Sequence, residues 1–289
     1  MIDYHVHLWR HAPHLSLQAS VDQLAEYCAC AVRLGVTELA VTEHATRFTQ
    51  FDALVRGWWE EDPSPARRAE TATCWDEELG ADLDQYVDTA LAAKAAGLPV
   101  VVGLEVDYLP GQMGKVAGLL AGYPFDVLLG SVHWIGAWLF DALDWEQAQR
   151  QWASRGVERV WSDYTRAVEE LAGTGTVDVL AHPDLAKVAG HRPPVPDEFY
   201  DRIAAAARTC GLAAELNSGG WRKPCAEAYP AARLLARFHD YGVPITTASD
   251  AHHLADLAWR IADLTATAQA AGYGEVTAFR SRHQTPQPL

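Results

Sequence analysis

Basic side chains are scarce in this sequence. It has 23 Lys and Arg against 38 Asp and Glu, which gives a formal net charge of −15 over 289 residues. Nucleic-acid-binding proteins normally present a basic surface, because contacts with phosphate dominate their affinity. The charge therefore argues against a nucleic-acid partner and favours a soluble enzyme.

Long apolar runs are absent as well. No stretch approaches the roughly 18 residues that a membrane-spanning helix requires. Asp3, His5 and His7 interrupt the start, where a signal peptide would have its apolar segment. The five cysteines are an odd number without the spacing of a disulfide framework, which favours reduced thiols. We therefore expect a cytoplasmic protein without a membrane partner, and nothing in the sequence indicates its oligomeric state.

Seven short apolar runs alternate with helical patterns along the chain, and apolar residues make up 49% of it. The runs are residues 2–7, 37–42, 99–104, 126–132, 177–181, 212–216 and 243–248. Parallel strands that are buried on both faces have this composition, and alternating strand and helix units favour a parallel α/β sheet. We predict a single domain over residues 1–289 that closes into a barrel. An open doubly wound sheet is the alternative, but no Gly-rich phosphate loop follows the first run.

Two stretches depart from this alternation. Residues 45–81 are the least regular part, and a long insertion directly after a strand end is typical of a lid over a pocket. A surface excursion is the alternative for this insertion. Residues 281–289 contain two prolines, and we expect this tail to be frayed.

The apolar runs end on side chains that bind metals. His5 and His7 flank one residue of the first run, and side chains at i and i+2 of a strand point the same way. The candidates at or after the strand ends are His5, His7, Glu43, His44, Glu105, His133, His182, Asp250 and His252. A single histidine in such a place is more often a core or surface residue, but here six strand ends agree. A barrel gathers these ends at one mouth.

The chemistry of these donors limits the metal. Imidazole and carboxylate without thiolate suit zinc, manganese or iron(II). The candidates are too many for one ion. A glutamate that bridges two ions about 3.5–4 Å apart uses them economically, and this is the usual arrangement in hydrolytic enzymes.

The segments HVH, TEH, GLEVD, GSVHW, AHPDL, ELNSGG and SDAHH, in this order from Asp3 to about His253, resemble the PHP (polymerase and histidinol phosphatase) family. GLEVDY, SVHW, ELNSGGWRKP and SDAHH are most similar to its stand-alone histidinol-phosphatase subgroup. The resemblance implies a distorted seven-stranded (β/α)7 TIM-like barrel. It also implies a phosphomonoesterase that converts L-histidinol phosphate to L-histidinol and phosphate in histidine biosynthesis.

The resemblance further implies two to three divalent ions. The first would bind His5, His7, Glu105 and Asp250. The second would share Glu105 and add His133 and His182. The third would bind His44, His252 and a histidine of the following loop, for which we predict His14, with His11 as the alternative. The loop is one residue longer than in the relatives, which is why both stay open. We expect Glu43 to orient an imidazole.

The expected reaction is attack on phosphorus by a hydroxide that the bound ions generate from water. We predict Arg222 as the main phosphate-binding and catalytic cation, because a guanidinium binds phosphate through two N–H groups. Lys223, Arg192, Asn217 and Ser249 are further candidates for binding the substrate. Asp250 or His252 is expected to protonate the leaving oxygen, directly or through water.

Three alternative functions stay open. The same chemistry could serve a nucleotide, a sugar phosphate or a specialised-metabolite phosphate. A barrel amidohydrolase also starts with HxH, but it commonly uses a carbamylated lysine on a middle strand, and the run that ends at His133 offers none. A non-catalytic metal-binding protein is the third alternative, and the complete set of ligands argues against it.

Overall fold

The computed structural model describes residues 1–13, 15–143 and 145–289. Seven parallel strands stand in the order β1 to β7, each paired with the next. They are β1 (Ile2–Val6), β2 (Glu38–Val41), β3 (Val100–Asp107), β4 (Val127–Ser131), β5 (Val179–Leu180), β6 (Ala213–Asn217) and β7 (Ile245–Ala248). All residues of these strands are buried except Glu38, which is half-buried, as the continuous apolar runs predict.

The first and last strands of this sheet meet and nearly close it. The amide of His7 donates to the carbonyl of Ala251 at 2.8 Å, and the amide of Asp250 donates to the carbonyl of His5 at 2.9 Å. These bonds lie at the carboxyl ends of β1 and β7. The predicted distorted (β/α)7 barrel is therefore confirmed, and the open doubly wound sheet is not what the chain forms.

Ten α-helices accompany the strands in the described part of the chain. They are α1 (Val21–Arg33), α2 (Thr49–Val55), α3 (Pro65–Glu78), α4 (Leu83–Ala95), α5 (Met113–Leu120), α6 (Glu146–Arg155), α7 (Val157–Gly173), α8 (Asp197–Cys210), α9 (Ala232–Asp240) and α10 (Ile261–Ala270). Helix α1 begins where its sequence predicts, because the Ser20 side chain accepts a hydrogen bond from the Gln23 amide. None of the described helices is both long and apolar enough to cross a bilayer.

The insertion at residues 45–81 is more regular than we predicted. It contains α2, α3 and two short 3-10 helices. The helical period of α3 is hard to detect because only Thr71 and Trp75 of its side chains are buried. Trp75 lies 6.3 Å from the ring of Trp134, which follows β4, and the Thr71 hydroxyl donates to the Ala137 carbonyl at 2.8 Å. Through these contacts the insertion packs against the barrel beside the mouth. The role of the insertion as a lid stays a prediction.

The tail is an ordered hairpin, so the prediction that it is frayed is wrong. Strands β8 (Glu275–Arg280) and β9 (His283–Pro288) pair antiparallel. The two prolines lie on β9, which pairs on one side only, and edge strands tolerate proline. Arg280 pairs with Glu38 at 2.7 Å and Arg282 with Asp178 at 2.9 Å. Both partners lie near the amino ends of barrel strands, so the hairpin covers the end opposite to the mouth.

Phe279 of this hairpin completes the core inside the barrel. Its side chain is fully buried and packs with Ile2, Tyr4, Val127 and other inward residues of the strands. We expect Phe279→Ala to lower the free energy of unfolding by about 3–5 kcal/mol, because it removes a buried ring and leaves a cavity. Urea denaturation followed by circular dichroism measures this. Thr285→Ala on exposed β9 is the matched control and should change stability by less than about 0.5 kcal/mol. A loss below about 1 kcal/mol for Phe279→Ala would contradict the role of the hairpin.

Candidate metal centre

The carboxyl ends of the barrel strands open into a cavity of about 870 Å³. The candidate donors that line it are His11, His44, Glu105, His133, His182, Asp250 and His252. His5 and His7 are fully buried beneath them. Parallel strands that end at the same edge bring these side chains together although they are up to 247 positions apart in the chain, from His5 to His252.

The first donor set forms around the HxH pair. His5, His7 and Asp250 offer atoms that lie close enough to share an ion. The two Nε2 atoms are 3.0 Å apart, and each lies 3.6–3.8 Å from Oδ1 of Asp250. Oε2 of Glu105 lies 3.3 Å from His5 Nε2 and 3.6 Å from His7 Nε2. A tetrahedral ion with donors at about 2.0–2.2 Å needs donors roughly 3.3–3.6 Å apart, so this set fits a divalent metal.

The other oxygen of Glu105 faces a second donor set. Oε1 lies 3.0 Å from Nε2 of His182 and 3.5 Å from Nε2 of His133. His133 also belongs to a possible donor set with His44 and Asp107. One carboxylate thus presents a separate oxygen to each of two imidazole groups, which is the geometry that a bridging ligand needs.

A third set lies on the outer side of His7. The His7 ring stacks against both His44 and His252, with ring centroids 4.3 and 4.1 Å away, and the centroids of those two rings are 5.8 Å apart. Nε2 of His44 and Nε2 of His252 are buried and lack hydrogen-bond partners within the described ranges. Buried polar atoms are rarely left unpaired, so these nitrogens fit metal ligands.

The loop histidine of this third set stays a prediction. His14 lies outside the described residues. The alternative, His11, has its ring 4.5 Å from that of His252 and 5.1 Å from that of His44. Its Nδ1 faces Arg47 NH2 at 3.2 Å and Glu78 Oε1 at 3.5 Å.

Charges of opposite sign alternate through the centre. Burial would lower the pKa of His5, but the carboxylates of Glu215 and Glu105 hold it well above its usual value. Burial opposes protonation of His133 too, yet neighbouring carboxylates raise its pKa to about 10. Burial would raise the pKa of Glu105, and the surrounding imidazoles hold it well below its usual value. In the metal-free protein, protons on His5 and His133 therefore compensate part of the charge of the carboxylates.

Further carboxylates lie close to the ring nitrogens of the candidate ligands that face away from the first and second donor sets. Oε2 of Glu43 lies 3.6 Å from Nδ1 of His7, and its Oε1 accepts the amides of Leu8 and Trp9. Oδ1 of Asp107 lies 2.5 Å from Nδ1 of His133. Sequence reasoning gave no role to Asp107. Its place two residues after Glu105 on the same strand is the signal that could have found it, because both side chains share a face.

Arg222 and Lys223 line the cavity, as a phosphate-binding role requires. The Arg222 guanidinium donates to the Ser249 carbonyl at 3.0 Å and pairs with Asp256 at 2.8 Å. It also lies 5.0 Å from the ring of Trp259. These contacts restrict its orientation at the rim.

The side chains of the predicted substrate contacts Arg192, Ser249 and Asn217 bond to other groups of the protein. Arg192 is not among the residues that line the cavity, and it pairs with Glu227 at 2.8 Å. The buried Ser249 hydroxyl donates to Asp3 at 2.7 Å. The buried Asn217 amide donates to Glu215 at 2.9 Å, and its carbonyl oxygen accepts the Gly219 amide. The polar atoms of these side chains bond to protein groups, so the structure does not offer them to a phosphate.

Comparison with known proteins identifies relatives over nearly the whole chain. The PHP domain family model matches residues 3–219. A Deinococcus radiodurans protein, described as a probable histidinol-phosphatase, is 33% identical over 261 residues, which are 90% of this chain and 92% of that protein.

Two solved structures share the fold. A candidate histidinol phosphatase from Listeria monocytogenes has a TM-score of 0.72 at 20% identity, covering 91% of this chain and 99% of that one. The histidinol phosphate phosphatase of Lactococcus lactis has a TM-score of 0.68 at 19% identity and covers 98% of each chain. The Lactococcus structure is a complex with zinc, L-histidinol and phosphate.

The charge pattern predicts that metal binding releases protons. Because the pKa values of His5 and His133 are raised, both side chains are imidazolium at neutral pH without metal, and an ion binds only neutral imidazole. The apparent Kd for zinc should therefore rise as the pH falls, by about tenfold per pH unit for each displaced proton. Calorimetry in two buffers of different ionisation enthalpy counts these protons. Binding heats that do not depend on the buffer would contradict the charge pattern.

Proposed function

This chain belongs to the PHP domain family, and from that membership we propose that it is a metal-dependent phosphomonoesterase which hydrolyses L-histidinol phosphate to L-histidinol and phosphate. The observation that carries the proposal is Glu105, whose two oxygens face two separate imidazole sets in one cavity. Paired metal sites bridged by a carboxylate are the usual arrangement for phosphate ester hydrolysis. The names of the Deinococcus and Lactococcus relatives support the substrate.

The proposed centre holds two to three divalent ions. His5, His7 and Asp250 would hold the first, His133 and His182 the second, with Glu105 shared. The third would take His44, His252 and His14 or His11. When bound, such ions lower the pKa of water and polarise the phosphate. Nitrogen and oxygen donors without sulfur suit zinc, manganese or iron(II), and zinc in the Lactococcus structure supports the first of these.

Arg222 binds the phosphate in this proposal. It lines the cavity next to Asp250, and its guanidinium is fixed by Asp256 and the Trp259 ring. A guanidinium stabilises the negative charge that develops on the phosphoryl oxygens. Lys223 lines the same cavity and adds a second positive charge.

The proton for the leaving oxygen comes through water in this proposal. Burial would raise the pKa of Asp250, but His5 and other imidazoles hold it well below its usual value. Asp250 is then ionised at neutral pH and has no proton to give. Burial and neighbouring imidazoles hold the pKa of His252 well below its usual value. Neutral His252 is a weak proton donor, so a water between these side chains and the substrate is the better path.

The rest of the cavity suits a cationic leaving group. Trp75, Trp134 and Trp145 line it together with the carboxylates of Glu77 and Asp141. Aromatic rings and carboxylates attract an amino alcohol, whereas they would repel the additional phosphates of a nucleotide. None of the four lysines of the sequence lies on one of the seven described barrel strands, which counts against the amidohydrolase alternative.

Steady-state kinetics on a panel of phosphate esters tests the proposed function. The metal-loaded enzyme should hydrolyse L-histidinol phosphate with a kcat/KM at least about 100-fold above that for a nucleotide, a sugar phosphate or p-nitrophenyl phosphate. Metals are quantified in the same sample. Preference for another ester would overturn the substrate, and hydrolysis of none would overturn the reaction class.

Arg222→Ala should lower kcat/KM by about 10²–10³-fold, since it removes the donor that stabilises charge on the phosphate. Arg222→Lys should restore only part of this, because an ammonium cannot form two parallel N–H bonds. Arg202→Ala is the matched control: Arg202 pairs with Glu169 between α8 and α7, away from the cavity lining. Equal activities of Arg222→Ala and Arg202→Ala would show that Arg222 does not bind the phosphate.

A further inference from the structure

Strand β6 differs from the other six barrel strands, all of which the structure describes. Each of the others carries or leads into a candidate ligand, whereas β6 contributes none. Its inward side chains include Glu215 and Asn217, both fully buried. A buried carboxylate loses its hydration and needs compensating partners. The partners of Glu215 show what β6 supplies to the centre.

One oxygen of Glu215 holds a candidate ligand of the first donor set. Oε1 lies 2.8 Å from Nδ1 of His5. A carboxylate only accepts hydrogen bonds, so Nδ1 of His5 carries the proton in this contact. The nitrogen that remains for a metal is Nε2, which faces Glu105 and Asp250.

The other oxygen of Glu215 holds a candidate ligand of the second donor set. Oε2 accepts the backbone amide of His182 at 2.8 Å. His182 has φ of +27°, a conformation that residues other than glycine rarely adopt and that the surrounding structure must stabilise. The bond to Glu215 holds this backbone and directs Nε2 of His182 to Oε1 of Glu105, 3.0 Å away.

Asn217 completes the support from the same strand. Its amide donates to Oε2 of Glu215 at 2.9 Å and approaches Oδ2 of Asp250 at 3.5 Å. Three hydrogen-bond donors thus hold the Glu215 carboxylate in place: the His5 ring, the His182 backbone amide and the Asn217 side chain.

We propose that Glu215 is a positioning residue which couples the two donor sets, so that its loss weakens binding of both ions together. This inference rests on the proposed metal-dependent function. Asp107 differs from Glu215 because the candidate ligand that it contacts is His133, which belongs to the second donor set. Outer hydrogen-bond partners of this kind typically contribute 10–100-fold to metal affinity.

The test is zinc binding to folded, metal-free protein, measured by competition with a chromophoric chelator. Glu215→Gln keeps the size of the side chain, but its amide has one oxygen to accept hydrogen bonds where the carboxylate accepts three with two oxygens. It should weaken both zinc equivalents by about 10–100-fold, whereas Asp107→Asn should weaken one. Glu38→Gln is the control for stability. Glu38 bonds Tyr4 and Arg280 at the opposite end of the barrel, so this variant should lower the Tm and leave zinc affinity unchanged.

Two results would overturn the inference. One is wild-type zinc affinity at both sites in Glu215→Gln, and the other is loss at one site alone. A wild-type protein that binds no zinc would instead contradict the proposed function. If the wild-type protein binds two zinc ions and Glu215→Gln binds them equally well, the inference is wrong while the proposed function still stands.

Long-range ¹H–¹⁵N spectra of the unaltered protein keep the inference testable if Glu215→Gln does not fold. We expect the His5 Nε2 resonance to shift on addition of zinc while Nδ1 stays protonated. Zinc binding at Nδ1 of His5 would show that Glu215 does not hold this side chain.

Discussion

Glu105 is a carboxylate buried at the centre of the barrel mouth, and such a group is stable only where positive charge replaces the lost water. Imidazoles on β1 and in the segments directly after β1, β2, β4 and β5 approach its two oxygens. In the metal-free protein the raised pKa values of His5 and His133 place protons on these two rings, which provides compensating charge, and divalent ions would replace these protons. The arrangement of the other strand ends follows from this requirement.

The scaffold keeps these charges in place from two directions. Closure of β7 onto β1 brings Asp250 beside His5, so the first donor set joins the two ends of the sheet. At the opposite end the hairpin of β8 and β9 fills the barrel with Phe279 and fastens itself through Arg280 and Arg282. A site that depends on separations of a few tenths of an ångström needs such rigid support.

Local patterns in the sequence predicted the barrel and its mouth, because each strand is a continuous apolar run and its last residues define the mouth. The ordered tail was not predictable in this way. It is held by Phe279 and by arginines that pair with residues over 100 positions away. Helix α3 was missed because only two of its side chains are buried, which leaves little apolar period to detect.

The limits were similar at the site. Residue types and strand ends were enough to predict which strand-end side chains come together, whereas the loop histidine stays a prediction. The supporting roles of Asp107 and Glu215 depend on contacts across the barrel, up to 210 positions apart for His5 and Glu215. Arg192 and Ser249 were expected at the substrate, but Arg192 pairs with Glu227 and Ser249 with Asp3. The sequence around a cationic or hydroxyl side chain does not reveal which partner that side chain binds in the folded protein.

The most direct test of the central position of Glu105 is anomalous diffraction at the zinc edge from crystals of the zinc-loaded protein. We predict two strong peaks about 3.5–4 Å apart, one beside each oxygen of Glu105. The peak beside Oε2 should contact His5, His7 and Asp250, and the peak beside Oε1 should contact His133 and His182. A single ion, or ions that do not touch Glu105, would contradict it.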